Sequence, residues 1–406
     1  MDNDEALKIP AVGKRQYIWH VADDAPLSRS KRSKSNGPYE STVPVPLADL
    51  EFHIPAWLGA DAEESVNALA RFDEYAASLL GEGNHVLGPM STVLLRTEAT
   101  SSSQIEHLTV GAKNLALETL HEGSSENAAI VVGNVRAMET ALAFSENMTQ
   151  ASLLAMHRAL LLAQEGWQSY AGRYRDSLVW GGTNSYSPVG ASHVAPQADL
   201  VPELMEDLFA FIQRDDLPVI VQCAVAHAQF ETIHPFADGN GRCGRALVHA
   251  ILRNKAVVRN TTAPVSAGLL HNTQDYFDAL TAYRTGDAGP IVERFAEACR
   301  FAATSGCKLI DALKAELDAA RQALSGVRSD AAAWKILPQL IAQPIVNTQY
   351  LQTALGLSKS QAERAVATLA QHGVLTARSS SRRSVVWECR AILDILDDYA
   401  ASLRRG

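Results

Sequence analysis

Two apolar helical patterns are separated by a short segment that cannot continue either helix, and this arrangement constrains the fold more than any other feature. The first pattern covers residues 217–233, where apolar side chains recur in steps of four and three at Val219, Cys223, Ala226, Phe230 and Ile233. Such spacing places one buried stripe along a helix. The second pattern covers residues 241–254. The intervening sequence, HPFADGNG, contains a proline and two glycines, which interrupt helices. We therefore expect a helix, a sharp loop and a second helix.

Most of the remaining chain also shows helical spacing, and strand-like alternation is scarce, so the predicted fold class is mainly α. One β-hairpin is predicted in residues 177–197, where β-branched and aromatic residues flank a turn rich in Gly, Asn, Ser and Pro. Residues 28–48 are polar and rich in Ser, Pro and Gly, which predicts an irregular surface segment. Residues 308–326 predict a long amphipathic helix that packs on the core, with pairing to a second copy of the chain as the alternative.

The C-terminal stretch changes character and resembles a winged helix-turn-helix. Its pattern is a helix, a turn at Gly356–Leu357, a helix from Ser358 that stops near Gly373, and two short strands. Residues 344–390 carry a net charge of +4, mostly in the segment 378–383 between the two strands. That surplus suits phosphate contacts with DNA. Because the second helix offers few base-reading side chains, DNA binding is the less favoured use of residues 344–390, and docking of another protein is the alternative.

Composition places the chain among ordinary globular proteins. Of its 406 residues, 47% are hydrophobic and 20% charged, and no apolar run reaches the ~20 residues that span a bilayer. The N-terminus lacks the apolar stretch of a signal peptide. The five cysteines form no CxxC pair, which argues against a zinc site and fits a reducing compartment. The net charge of −9 argues against a chain that mainly coats nucleic acid. We expect a cytoplasmic protein without membrane attachment.

The start of the second helix combines groups suited to binding phosphates. The backbone N–H groups of Gly239, Asn240 and Gly241 lie where a loop becomes a helix, and such groups converge on anions. Arg242 and Arg245 are three residues apart on one helix face and offer two guanidinium groups to further phosphates.

The loop itself adds a metal ligand and a base. Asp238 supplies the hard oxygen that magnesium prefers. His234 is the one group in the segment that can accept a proton near neutral pH. Each feature alone is common on helix ends and turns. Their coincidence within twelve residues indicates a phosphoryl or nucleotidyl transfer site.

HPFADGNGRCGR matches the Fic family motif HPFxDGNGRxGR at every fixed position. The segments AMHRALL at 155–161 and AGRYRDSLVWGG at 171–182 also look like Fic proteins, so the resemblance extends over residues 37–300. It implies a helical Fic core with a small β-hairpin flap. It also implies transfer of AMP from ATP, with Mg²⁺, to a Ser, Thr or Tyr hydroxyl of a target protein or of the chain itself.

The resemblance assigns roles within the loop. His234 would be the general base, Pro235 would shape the loop, and Phe236 would anchor it in the core. Asp238 would hold Mg²⁺.

The resemblance also assigns roles along the following helix. The backbone of Gly239, Asn240 and Gly241 would cradle the α-phosphate, while Arg242 and Arg245 would hold the remaining phosphates.

Three further assignments follow from the family pattern. Residues 179–195 are similar to the flap that aligns a target segment by strand addition. Tyr276 and Phe277 lie where family members form the wall of the adenine pocket. Gly241 favours AMP transfer, because members that phosphorylate have lysine at this position; transfer of another phosphate-containing group, such as phosphocholine, is an alternative.

The sequence LLRTEATSSSQIEH at 94–107 resembles the inhibitory helix of Fic proteins that restrain their own activity. Ser102 and Glu106 fit the pattern, whereas His107 replaces its Gly or Asn. A carboxylate at Glu106 that pairs with Arg245 would occupy the γ-phosphate position and hold ATP in a non-productive pose. His107 departs from the residues that favour the left-handed conformation ending a helix.

We therefore predict an N-terminal helical region at 1–140 with the inhibitory helix at 93–107. A Fic core at 141–305, a linker helix at 306–330 and a winged-helix-like domain at 331–406 follow. The competing hypothesis is a DNA-binding regulator whose Fic core only senses. The complete motif favours an enzyme. A homodimer is a further expectation.

Overall fold

The computed structural model describes residues 6–22, 24–78, 87–182, 184–381 and 384–403. The helices are α1 (Arg29–Ser35), α2 (Ala56–Ser78), α3 (Leu87–Ile105), α4 (Ala112–Thr119), α5 (Glu126–Ala143), α6 (Gln150–Leu161), α7 (Val201–Ile212), α8 (Val219–Ile233), α9 (Asn240–Asn254), α10 (Val265–His271), α11 (Thr273–Arg284), α12 (Gly289–Ala323), α13 (Ala333–Ile336), α14 (Gln339–Ala342), α15 (Thr348–Leu355), α16 (Lys359–Gln371) and α17 (Arg390–Ser402). The strands are β1 (Gly13–Trp19), β2 (Gly37–Val43), β3 (Trp180–Gly181), β4 (His193–Val194), β5 (Ile345–Val346), β6 (Thr376–Ser381) and β7 (Ser384–Glu388). The prediction of a mainly α fold is confirmed.

The chain forms two compact units, each assembled from three stretches of sequence. Unit 1 contains Met1–Ser65, Glu139–Lys255 and Gln274–Ala296. Unit 2 contains Val66–Met138, Ala256–Thr273 and Glu297–Gly406. The predicted boundaries at 140, 305 and 330 divide the chain in sequence order, whereas the two units interleave along it.

Helix α8 is the central helix of unit 1. Every residue from Ile220 to Ile233 is buried, so the helix is covered on all sides and not along the single stripe that its spacing predicts. Helix α9 packs closely against it. A Cβ on Gly244 would lie 2.7 Å from the Oε1 atom of Glu231 and 3.0 Å from the Cδ1 atom of Phe230. Only glycine permits this approach of the two helices.

The expectation of an irregular segment at 28–48 is wrong. Ser28 caps helix α1 by accepting from the N–H of Lys31, and β2 pairs antiparallel with β1 from Gly37 opposite Trp19 to Val43 opposite Gly13. The polar composition hides this strand because its partner lies some twenty residues upstream, beyond the reach of local pattern analysis.

The predicted hairpin at 177–197 is present but short. Strands β3 and β4 pair only at Trp180–Val194 and Gly181–His193. Aromatic contacts join this hairpin to the β1–β2 hairpin: the ring of Trp19 meets that of Trp180 edge-on at 5.2 Å, and its Nε1 donates to the carbonyl of Tyr186 at 2.9 Å. We call residues 179–195 the flap hairpin.

In unit 2, the helix predicted at 308–326 is the second half of the longer helix α12, which begins at Gly289. The same stripe continues back through the first half of the helix at Val292, Ala296, Cys299 and Ala303, all of which are buried, so the prediction placed the start of this helix too late. The predicted stripe is buried, with side-chain exposures of 0–7% at Ile310, Leu313, Leu317, Ala320 and Leu324. It packs in the core of the chain itself. No helix of the described residues is long and apolar enough to cross a membrane.

The C-terminal residues form α15, α16 and a three-stranded antiparallel sheet with the order β5-β7-β6. The predicted helix signals are confirmed: Ser358 caps α16 with a reciprocal capping box, and Gly373 follows its end with a φ of 77°. Of the basic residues predicted to contact phosphates, Arg382 and Arg383 lie outside the described residues.

Candidate active site

His234 lies at the end of the buried helix α8, where it ends the helix in the left-handed conformation with φ 51° and ψ 62°. Its backbone N–H donates to the carbonyl of Phe230 at 2.8 Å. Its Nδ1 lies 3.3 Å from the carbonyl oxygen of Glu231, which can only accept, so Nδ1 carries the proton. In the neutral form of the ring, this tautomer places the lone pair on Nε2, the atom that would act as a base.

The loop after His234 is closed by a reciprocal pair of hydrogen bonds. The Asn240 side chain accepts from the backbone N–H of Phe236 at 2.8 Å and donates to the carbonyl of the same residue at 2.9 Å. Asn240 is 3% exposed. A primary amide carries a donor and an acceptor side by side, so it satisfies both backbone groups at once. The Asn240 side chain thus shapes the loop.

His157 on α6 contacts the same loop through ring stacking and hydrogen bonds. Its ring stacks on that of Phe236, with centroids 3.7 Å apart and planes within 8°. Its Nδ1 accepts from the N–H of Gly172 at 3.1 Å, so its Nε2 must be protonated and donates to the carbonyl of Asp238 at 3.1 Å. Burial lowers the pKa of His157 to about 4, which keeps this neutral tautomer at physiological pH.

Arg175 holds the entry to the loop. Its guanidinium donates to the carbonyls of Ser177, Pro196, Ile233 and His234 at 2.6–3.3 Å. Its backbone N–H donates to the carbonyl of Pro235 at 3.0 Å. The side chain is buried, and desolvation lowers its pKa to about 10.

His193, on the flap hairpin, links the flap to α8. Its Nε2 lies 3.1 Å from the carbonyl of Thr232, two residues before the candidate base. Its pKa is lowered to about 2 by burial first and by the charges of nearby cationic groups second. His193 is therefore a neutral donor that fixes the flap beside the end of α8.

The N-terminus of α9 presents backbone N–H groups that suit an anion. Gly239 precedes the helix with φ 79°, and its carbonyl accepts the first helical bond from the N–H of Cys243 at 3.0 Å. The N–H groups of Asn240 and Gly241 cannot bond within the helix, as at every helix start. A Cβ on Gly239 would lie 2.7 Å from the Cδ2 atom of Leu160. Glycine is therefore required at this turn.

Asp238 stands beside this helix end with a side chain 32% exposed. Its Oδ2 accepts from the Nη2 of Arg242 at 3.0 Å and from the Nε2 of Gln164 at 3.1 Å. Within the described residues, no group of three or more His, Cys, Asp or Glu side chains could hold a metal by itself. A lone carboxylate fits Mg²⁺, which keeps several waters and takes its other ligands from substrate phosphates.

The two arginines of the motif are buried. Arg242 is 2% and Arg245 3% exposed, and the positive charge of Arg245 helps to lower the pKa of the buried His227 to about 3, after desolvation. Two buried guanidinium groups close to a helix N-terminus are suited to binding a polyanion.

Tyr276 and Phe277, the predicted adenine-pocket residues, occupy different environments. Tyr276 is 1% exposed, and its hydroxyl lies 2.8 Å from the Nε2 of His227. Phe277 is 46% exposed. Their part in binding adenine stays a prediction.

The predicted inhibitory helix is α3 of unit 2, and Glu106 directly follows its last residue. Ser102 is fully buried and Glu106 is half-buried. His107 adopts φ 62°, the left-handed conformation that Gly or Asn would favour. Two bonds close the helix end: the N–H of His107 donates to Gln104 at 2.9 Å, and that of Leu108 to Ser103 at 3.0 Å. This is a Schellman motif, so the substitution at 107 preserves the helix end.

Sequence reasoning did not single out three of the residues that shape the site. His157, Arg175 and His193 all lie in segments whose pattern was noted, 155–161, 171–182 and 177–197. Their signal is weak because each acts on backbone carbonyls, which any sequence possesses.

The chain is similar to known proteins in this same region. Residues 147–252 match the Fic/DOC family model. A probable protein adenylyltransferase of Aquifex aeolicus is 34% identical over 108 residues, which are 25% of this chain and 29% of that protein. The protein adenylyltransferase Fic of Nematostella vectensis is 30% identical over 158 residues, 38% of this chain and 33% of that protein. The chain thus matches about a third of the length of these relatives or less.

One solved structure is similar over a larger share. The crystal structure of a Fic family protein from Desulfovibrio desulfuricans aligns with 82% of this chain and 95% of that chain, at 24% identity and a TM-score of 0.49. The family match contains α6, the flap hairpin, α8, the loop and nearly all of α9. Every residue that clamps the loop therefore lies inside the matched segment.

Proposed function

We propose that the chain is a protein adenylyltransferase that transfers AMP from ATP to a hydroxyl side chain of a protein, which can be the chain itself. The observation that carries the proposal is the loop after His234. Its carbonyls accept hydrogen bonds from Arg175, Asn240 and His157, and it leads into the start of α9, where backbone N–H groups suit an anion. The family match and the names of the two relatives support the same reaction.

The chemistry follows from the placement of His234. The target hydroxyl gives its proton to Nε2 of His234 as its oxygen attacks the α-phosphorus. The new bond joins that oxygen to phosphorus, and the bond to the β-phosphate oxygen breaks, so pyrophosphate leaves with the electron pair. The backbone N–H groups at Asn240 and Gly241 stabilise charge on the α-phosphate. Arg242 and Arg245 would compensate the remaining phosphates.

Asp238 would hold Mg²⁺, which neutralises phosphate charge when it is bound. The Arg242–Asp238 contact at 3.0 Å keeps the carboxylate close to the start of α9. Gly241 supports AMP as the transferred group, because a lysine at this position would be expected in a member that phosphorylates.

We further propose that Glu106 restrains the reaction by pairing with Arg245. This rests on the family pattern of Ser102 and Glu106, and on a helix end that leaves Glu106 directly after α3. A carboxylate–guanidinium pair would compete with the γ-phosphate for Arg245. Removal of the carboxylate should therefore release activity.

The test is incorporation of label into protein from ATP and Mg²⁺. Parent, Glu106→Gly, Glu106→Gln and His234→Ala proteins are incubated with ATP labelled at the α- or the γ-phosphate. We expect α-label on protein, more of it with both Glu106 variants, and none with His234→Ala. His53→Ala is the matched control, because His53 is exposed and lies outside the loop; it should label like the parent.

Three outcomes would contradict the proposal. Label from the γ-phosphate would show phosphorylation. Activity of His234→Ala would remove the base from the mechanism. Equal labelling of the parent and both Glu106 variants would refute the restraint while leaving the transfer reaction in place.

A further inference from the structure

Unit 2 contains a cleft, partly open to solvent, against helix α3. Its wall is largely apolar and includes Val93, Val110, Leu115, Leu396 and Leu403. The cleft adjoins a second, more polar opening, and the two share Gln104, Val110, Asp397 and Ala400. An apolar cavity with a few polar groups at one end is the usual form of a small-molecule site.

Gln104 is the polar group that marks this cleft. It is 6% exposed, and among the residues that the structure describes neither its Nε2 nor its Oε1 has a hydrogen-bond partner. Other polar groups in the wall are satisfied: the hydroxyls of Thr97 and Thr100 donate to helix carbonyls at 2.8 Å. A buried amide without partners is costly, so the cleft presents a donor and an acceptor that a ligand can satisfy.

The charges in the wall constrain the ligand further. Arg96 and Asp397 both line the cleft, so its wall carries one positive and one negative charge and favours neither an anionic nor a cationic ligand. The Gln104 amide offers its N–H and its oxygen side by side, which matches a group that presents an acceptor next to a donor. Primary amides, lactams and the edges of nucleobases have this pattern.

We propose that the cleft binds a small neutral molecule with an apolar body and an amide-like edge, held by Gln104. The site lies in unit 2 and is separate from the loop after His234 in unit 1. No step of AMP transfer uses it.

Such a ligand would act on the end of α3, and this consequence rests on the proposed restraint by Glu106. The carbonyl of Gln104 accepts from His107 in the bonds that end the helix, and the chain then returns to the cleft at Val110 and Ala112. A ligand that contacts both sides of this turn stabilises it. Glu106, two residues after Gln104, is thereby held in its inhibitory conformation, and ligand binding lowers AMP transfer.

Benzamide is the probe, and methyl benzoate, which lacks the donor, is its matched control. Binding to the full chain without nucleotide is measured by calorimetry and through the side-chain amide signals of ¹⁵N-glutamine-labelled protein. We expect saturable binding of benzamide at millimolar concentration with one glutamine signal shifted, and binding at least about tenfold weaker for methyl benzoate.

Gln104→Leu and Ala400→Phe are the test variants. Gln104→Leu removes the buried amide and should bind benzamide at least about tenfold more weakly, with an unchanged or higher melting temperature. Ala400→Phe fills the cleft from α17 and should also abolish binding. Absence of saturable binding to the parent, equal affinity of Gln104→Leu, or equally tight methyl benzoate would each overturn the site.

Labelling experiments separate this inference from the proposed function. Benzamide should slow self-labelling of the parent and leave Glu106→Gly unaffected. Binding without any effect on the parent would overturn the link to Glu106. If benzamide does not bind and the Glu106→Gly substitution raises labelling, the proposed ligand site in the cleft is refuted and the proposed function stands. Binding in a protein that Glu106→Gly does not activate would support the cleft and refute the restraint.

Discussion

Asn240→Asp tests whether the shape of the catalytic loop depends on one buried amide. The change replaces a donor with an acceptor at nearly constant volume. The bond from the N–H of Phe236 survives, but the carbonyl of Phe236, now 2.9 Å from the Asn240 nitrogen, would face a carboxylate oxygen. At neutral pH this mismatch is the main effect of the substitution.

The cost can be worked out from the environment. A buried acceptor that loses its donor costs about 1–3 kcal/mol. The N-terminus of α9 offsets about 0.3–1 kcal/mol of this cost, because a negative charge at a helix N-terminus is favourable. The net loss of about 1–2 kcal/mol corresponds to a melting temperature lower by about 2–8 °C. The proposed AMP transfer should fall as well, because the loop precedes the N–H groups that we propose to bind the α-phosphate.

Protonation of the introduced carboxyl should restore both hydrogen bonds to the backbone of Phe236. A neutral carboxyl can donate through its O–H and accept through its C=O, as the amide does. The neutral form is favoured in the folded state, so the pKa of the introduced carboxyl is raised from ~3.9 by roughly 1–2 units. The stabilisation is complete below the unfolded pKa and is lost as the pH rises through the folded pKa. The deficit should therefore shrink below about pH 5.5.

Scanning calorimetry between pH 4.5 and 7.5 measures the melting temperature of the variant minus that of the parent. Subtraction removes the acid sensitivity that both proteins share. Asn114→Asp provides the same charge change at an exposed position and should show a small difference at every pH. A deficit of Asn240→Asp that is constant, or that grows on acidification, would refute the reciprocal amide clamp.

Three other predictions follow from the site. Arg175→Lys cannot reach four carbonyls and should lower stability by about 3 kcal/mol, with a lower melting temperature; an unchanged value would contradict the clamp. Gly239→Ala should lower stability for two reasons: the backbone φ of 79° disfavours alanine, and the new Cβ would lie 2.7 Å from Leu160. Leu160→Ala should relieve only the steric clash. Stability losses that simply add in the double variant would therefore contradict the reasoning. Three histidines have pKa values that desolvation lowers: His157, His193 and His227. Each should contribute stability that is complete above pH ~6.5 and falls by about 1.4 kcal/mol per pH unit below it, and a measured uptake of under one proton on unfolding at pH 5.5 would refute this.

The helix–loop–helix around His234 was predictable because its causes are local. Proline and glycine interrupt helices wherever they occur, and apolar spacing reveals a buried face. The same spacing could not reveal that α8 is buried on every side, because polar side chains such as Gln222 and Gln229 are buried by bonding to distant backbone carbonyls. A pattern that counts apolar residues treats such positions as exposed.

Long-range pairing accounts for the rest of what the sequence does not show. Strand β2 is polar and short, and its partner β1 precedes it by a helix. The interleaved order of the two units likewise depends on contacts between distant stretches. Arg175 lies two residues from Ser177 but far along the chain from Pro196 and Ile233, whose carbonyls it binds. No spacing rule anticipates such a set.

The carbonyl groups of the loop explain why several side chains form hydrogen bonds with it. A loop between two buried helices presents both acceptors and donors, and an anion site needs only the donors. The carbonyls from Ile233 to Phe236 and that of Asp238 each receive a hydrogen bond from Arg175, Asn240 or His157. Every acceptor held in this way is one that cannot face the phosphate. In the proposed reaction, the donors at the start of α9 are thereby fixed before the nucleotide binds, and little reorganisation would be needed as charge develops on the α-phosphate.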